Sequence, residues 1–134
     1  MADPFQFELV SPERLLMSAK VEQVVVPGSE GYFTVMIGHA PYMSTMRPGV
    51  VDVTREGQIE RIFVRGGFAD VNGGGLTILA EQAIPLAEVD PEWLDQEVRN
   101  AAEDVADAKD GATRDAAELR LHQLREVQSA LSGR

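Results

Sequence analysis

Apolar and polar residues alternate strictly through Phe5-Gln6-Phe7-Glu8-Leu9, the period of a strand with one face buried. Ser11-Pro12 ends that strand. Val21 to Val26 is a β-branched run stopped by Pro27-Gly28, and Tyr32 to Ile37 is a further apolar run between Gly31 and Gly38. Val50 to Thr54 and Ile59 to Val64 read as strands joined through Arg55-Glu56-Gly57-Gln58, a hairpin in which Gly57 takes a positive φ. Phe68 to Val71 and Leu76 to Leu79 repeat that layout across Asn72-Gly73-Gly74-Gly75. Strands this short, with frequent turns and no helical period, predict a sandwich or barrel over residues 1–88.

The period changes at Asp90-Pro91. Asp90 suits an N-cap, Pro91 the first helical position, and Glu92 the positive end of the helix dipole. Leu94, Val98, Ala101, Val105 and Ala108 then form an apolar helical stripe. Asp110-Gly111 breaks it, and Thr113 is expected to cap a second helix carrying Ala117, Leu121, Leu124, Val127, Gln128 and Leu131. Residues 89–134 are therefore expected to form an antiparallel helical hairpin. Its Ala-rich first stripe allows close approach but buries little area, so the hairpin is held lightly.

Composition narrows the setting. With 134 residues, 44% of them hydrophobic and 25% charged, the chain suits one compact domain and an appendage. No run of about eighteen apolar residues is present, and Met1 to Phe5 lacks the character of a signal peptide. The absence of cysteine excludes thiolate sites and fits a reducing compartment. Net charge is −10, which argues against nucleic acid and anionic lipid as direct partners. Residues 1–88 and 89–134 each carry 11 acids and 6 bases, so charge is denser in the shorter part.

Catalytic constellations are thin. His39 and His122 stand far apart, with no Gly-x-Ser-x-Gly elbow and no Cys–His couple. Gly66-Gly67 and Gly73-Gly74-Gly75 are not followed by Lys-Ser or Lys-Thr and open no helix, so turns and bulges account for them. Glu103 and Asp104 diverge by roughly 100° on a helix and cannot share a proton. No enzyme is expected, and no metal or cofactor.

One stretch is more specific. Val26 to Val50 reads VPGSEGYFTVMIGHAPYMSTMRPGV, with Gly38-His39-Ala40-Pro41 and then Pro48-Gly49. Gly66-Gly67-Phe68 and Leu76-Thr77-Ile78-Leu79-Ala80 follow in order. These motifs, in register, resemble the epsilon subunits of F-type ATP synthases, strongly over 20–84 and by pattern over 90–131. The resemblance implies a mainly β plus α protein, a ten-stranded β-sandwich followed by a two-helix hairpin. It implies a non-catalytic central-stalk subunit that binds gamma and the c-ring and turns with them during ATP synthesis. It would then lie peripherally on the cytoplasmic face of a bacterial inner membrane, or on the equivalent side of an organelle membrane.

By the same resemblance, Ser29, Glu30, Gly31 and Tyr32 correspond to the turn facing the c-ring, although many relatives place an acid where Tyr32 stands. His39, Ala40 and Pro41 correspond to a segment near gamma; a turn residue bonded to the backbone is the alternative for His39. Arg114, Arg120 and Arg125 are candidates for a regulatory contact between hairpin and the alpha/beta head. Solvated intrahelical pairs such as Arg114 with Glu118 are the competing reading. Asp90 and Arg99 are remnants of an ATP-binding motif found in some relatives. Trp93 stands where the motif arginine belongs, and in the frame Leu94-Asp95-Gln96-Glu97-Val98-Arg99 the arginine falls one residue late, about 100° round the helix, which argues against ATP binding. A free-standing sandwich adaptor whose acidic hairpin binds a protein partner remains the alternative function.

Overall fold

The computed structural model describes residues 3–133. The chain divides into two compact units between Leu86 and Ala87. The first contains β1 (Phe5–Ser11), β2 (Arg14–Val21), β3 (Gln23–Gly28), β4 (Gly31–Val35), β5 (Tyr42–Arg55), β6 (Gln58–Asn72), β7 (Gly75–Ala80) and β8 (Ala83–Pro85).

The eight strands form one hydrogen-bonded sheet, ordered β2-β1-β7-β6-β5-β3-β4 with β8 also on β6. Only the β1–β7 pair is parallel. Two long strands fold this sheet over. β5 and β6 keep a single antiparallel register from Tyr42↔Val71 to Arg55↔Gln58, except that Arg47 and Gly66 do not pair. On the far side of β6, β7 pairs with Gly67–Asn72 and β8 with Ile62–Val64. Between them Glu81 N–H donates to the Gly66 carbonyl at 3.2 Å and Arg65 N–H to the Gln82 carbonyl at 2.9 Å. Three adjacent stretches of backbone thus turn the same corner.

Past that corner, β6 and β5 belong to a different layer. One layer is β2, β1, β7, the end of β6 and the start of β5; the other is β8, the start of β6, the end of β5, β3 and β4. Counting β5 and β6 once in each layer turns the eight strands into the ten segments that the family resemblance implies. The layers share one core. Phe7, Leu9, Leu76, Ile78 and Ala69 from the first meet Val24, Val35, Val51, Val53 and Val64 from the second, all essentially inaccessible to water.

Local differences from the sequence reading have local causes. β2 was not anticipated. A register shift at Leu9/Val10 breaks its alternation, so Leu15-Leu16-Met17 looks like an unpatterned apolar run. The run expected over Tyr32 to Ile37 stops as a strand at Val35, and Met36 and Ile37 are exposed. Gly57 has the expected positive φ, 79°.

The second unit is α1 (Pro91–Asp107) and α2 (Gly111–Gly133). Asp90 caps α1 as expected, its carboxylate accepting from Glu92 N–H at 3.0 Å. Asp110, not Thr113, caps α2: its Oδ1 accepts from Thr113 N–H at 2.7 Å. The helix starts three residues earlier than expected because this short carboxylate reaches forward to a free amide of the first turn. Leu94 and Ala101 are buried on α1, and Leu124 and Val127 on α2. Glu97 with Arg120 (2.9 Å) and Asp95 with Gln128 (2.7 Å) join the helices in antiparallel order.

The corner depends on Gly67. Its φ is +126°, and an added Cβ would stand 2.2 Å from the Leu79 carbonyl oxygen. Gly67→Ala is therefore expected to lower stability by roughly 3 kcal/mol or more in urea unfolding. Gly73→Ala, whose Cβ meets nothing within 4 Å, is expected to change it by less than about 0.5 kcal/mol.

Candidate functional site

The β3–β4 turn carries Ser29 and Glu30, both exposed. It is pinned to β5 by two bonds. Ser29 N–H donates to the Thr45 carbonyl at 2.9 Å, and the Thr45 hydroxyl donates to Ser29 Oγ at 2.9 Å. Behind the turn, the Tyr32 hydroxyl accepts from Val50 N–H at 3.4 Å, and the Arg47 guanidinium lies 5.3 Å from the Tyr32 ring centroid. Gly49 makes room for that hydroxyl; a Cβ there would approach it to 2.7 Å and Pro27 Cβ to 2.8 Å. Tyr32 remains 45% exposed, so the turn offers a hydroxyl, a carboxylate and an aromatic face on a braced backbone.

Gly38-His39-Ala40-Pro41 forms the exposed loop from β4 to β5. His39 N–H donates to the Met36 carbonyl at 3.1 Å, and His39 Nδ1 lies 2.7 Å from the Ala40 carbonyl oxygen. A carbonyl only accepts, so Nδ1 carries the proton. His39 is thus a turn residue bonded to the backbone, and its ring is still exposed. Met36, Ile37, Tyr42 and Met43 flank the loop and are exposed, and Tyr42 meets Phe33 edge-on with centroids 5.1 Å apart. A groove of about 220 Å³ beside the loop is lined by Phe5, Lys20, Ile37, His39 and Val71 among others.

A further surface escaped the sequence reading. Leu15 pairs with Val10, Val10 with Leu79, Leu79 with Phe68 and Phe68 with Thr45. The row crosses five strands on the outside of one layer and ends beside Ser29. Leu15 and Leu79 are 57% and 53% exposed. Each strand contributes one residue, so only the register reveals the stripe.

On α2, Arg120 is held by Glu97 of α1. Arg114 and Arg125 are exposed, and among the described residues neither forms an ion pair, so the Arg114–Glu118 pair is not made. Arg99 donates to Gln96 at 2.8 Å and Asp90 is the cap of α1, which gives both ATP-motif remnants intrahelical roles.

Residues 4–86 match the family model described as ATP synthase, Delta/Epsilon chain, beta-sandwich domain. The chain is 54% identical over 128 residues to the ATP synthase epsilon chain of Parvibaculum lavamentivorans, covering 95% of this chain and 97% of that one. It is 52% identical over 132 residues to the epsilon chain of Mesorhizobium japonicum, covering 98% of each. The chain belongs to the ATP synthase epsilon chain family.

Solved structures agree. A chain of the Euglena gracilis mitochondrial ATP synthase (OSCP/F1/c-ring in rotational state 1) superposes with a TM-score of 0.83 at 26% identity, over 98% of this chain and 83% of that one. A chain of the Tetrahymena thermophila mitochondrial ATP synthase central stalk and c-ring shares the fold, with a TM-score of 0.70 at 13% identity over 98% of each. The motifs that carried the epsilon resemblance fall where the sandwich turns. Gly38 to Pro41 is the exposed loop, Pro48-Gly49 packs behind the braced turn, and Gly66-Gly67 is the corner.

Two carboxylates of the chain respond to pH in opposite senses. Hydrogen bonds from Thr113, its backbone N–H foremost, hold Asp110 below its usual 3.8. Ionised Asp110 therefore stabilises the hairpin above that value, and the contribution is lost as pH falls through the lower, folded one. Burial pushes Asp52 above 3.8, and Arg61, 3.5 Å away, only partly offsets it. Protonation of Asp52 is easier in the folded state, so the fold gains from this group as pH falls through its raised value. Asp110→Asn is expected to flatten the acid limb of the hairpin's helicity, measured by circular dichroism. Asp52→Asn is expected to leave a shallower rise in sandwich stability on mild acidification, read from urea midpoints.

Proposed function

We propose that this chain is the epsilon subunit of an F-type proton-translocating ATP synthase, a rotor component that ties gamma to the c-ring while ATP is made. The observation that carries the reading is an identity of 54% with an epsilon chain across 95% of the sequence, through sandwich and hairpin alike. The role is mechanical and asks for stiff, multipoint contacts rather than reactive groups.

The contacts follow from the surfaces. Ser29, Glu30, Gly31 and Tyr32 face the polar loops of the c-ring, where a turn bonded twice to β5 resists displacement. His39, Ala40 and Pro41 meet gamma, with the exposed Leu15 to Phe68 stripe adding apolar area on the sandwich. Arg114, Arg120 and Arg125 are the basic groups that the hairpin could offer to the head, and Arg120 would first have to leave Glu97. The two units, which meet between Leu86 and Ala87 rather than after Glu88, divide coupling from any regulation. Among the described residues no helix is long and apolar enough to cross a membrane, and the subunit sits on the enzyme at the cytoplasmic face, or its organelle equivalent.

Capture of the tagged full-length chain from detergent-solubilised membranes tests the assignment. Gamma, c-subunit and the catalytic head subunits are expected together, and their absence under conditions that keep the synthase intact would refute it. A chain ended after Glu88 is expected to assemble with gamma and the c-ring and to leave ATP hydrolysis by the reconstituted head unchanged. A rise in hydrolysis would instead assign the hairpin a braking role. Isothermal titration of the full-length chain with ATP is expected to give no heat of binding.

A further inference from the structure

The chain has five methionines and no cysteine, so thioethers are its only oxidisable sulfur. They are unequally placed. Met43 is 59% exposed and Met36 43%, whereas Met46 is 6% exposed within the core and Met17 is partly buried against it. The two exposed thioethers bracket the His39 loop, with Ile37 and Tyr42 beside them. An apolar, adaptable cluster of this kind suits a docking surface because unbranched methionine conforms to the partner's shape.

The geometry points to Met36 and Met43 as an oxidation-sensitive element of the docking face: converting them to sulfoxides by a peroxide-class oxidant loosens the partner's hold. The inference rests on the reading of this face as the one gamma meets. In the step itself, a thioether lone pair attacks one peroxide oxygen. An S–O bond forms, the O–O bond breaks, and the departing oxygen leaves as water after proton transfer. Sulfur loses two electrons and the peroxide gains them. The product places a polar S–O group where apolar contact is needed, and burying it without a hydrogen-bond partner is unfavourable. Met46 is shielded, so the core survives an exposure that converts the loop.

The full-length chain is treated with hydrogen peroxide, freed of it, mapped by mass spectrometry and titrated with untreated gamma. Met43 and Met36 are expected to oxidise before Met17 and Met46, and the dissociation constant to rise by about five- to a hundredfold with circular dichroism unchanged. Methionine sulfoxide reductases should restore the original affinity. A chain carrying M36L and M43L, compared with its own untreated form, should lose the peroxide response. Unchanged affinity with both residues oxidised overturns the inference, as does loss that begins only when Met46 is converted. Undiminished sensitivity of the leucine variant does the same. Failure of the untreated chain to bind gamma overturns the underlying reading of this face, and the inference with it.

Discussion

The approach of Gly67 to the Leu79 carbonyl decides how this sandwich is built. No side chain fits there, so β6 can press against β7 at the point where it changes layer. Arg47 on β5 and Glu81-Gln82 between β7 and β8 interrupt their pairing at the same level. The interruption does not shift register, so cross-strand partners stay matched on both sides of the bend. The shared core forms because the inward residues of both halves remain in phase. The braced β3–β4 turn depends on the same bend, since Thr45 and Arg47, which hold Ser29 and Tyr32, flank it on β5.

A coupling role asks for firm contact surfaces. What the structure supplies is stiffness at the turns proposed as contacts. Ser29 is tied to β5 through backbone and side chain, Tyr32 lies under a guanidinium, and His39 closes its own loop through Nδ1. Ordering costs of binding are reduced when such turns are already fixed. The hairpin is a different kind of object. Its cap is exposed, its buried stripe includes alanine, and polar pairs at Glu97–Arg120 and Asp95–Gln128 join its helices.

Much of this was legible in the chain because local chemistry and final environment coincide. Phe5 to Leu9 alternates in sequence and in burial, and Asp90-Pro91-Glu92 starts a helix where its chemistry says it should. Features made by pairing were not legible. The Leu9/Val10 shift erased the alternation of β2, and the Leu15–Val10–Leu79–Phe68 stripe exists only once four strands are placed side by side. Asp110-Gly111 signals the break after α1, and that signal hides the second role of Asp110 as cap of α2, although aspartate is the better N-cap than threonine. The candidate contact segments were found through family motifs; their bracing by Thr45, Gly49 and Arg47 came from distant parts of the chain.

The continuity of β5 and β6 through the corner has a mechanical meaning. In a sandwich whose layers touch only through side chains, a tangential load can make one layer slide over the other by repacking rotamers. Here two covalent strands run from one layer into the other, and their neighbours bend with them. The object resembles a creased plate rather than two stacked sheets. A force arriving at the turn beside Thr45 enters the layer that carries β3 and β4 and passes along the peptide bonds of β5 and β6 into the other layer, so the crease resists shear between the two.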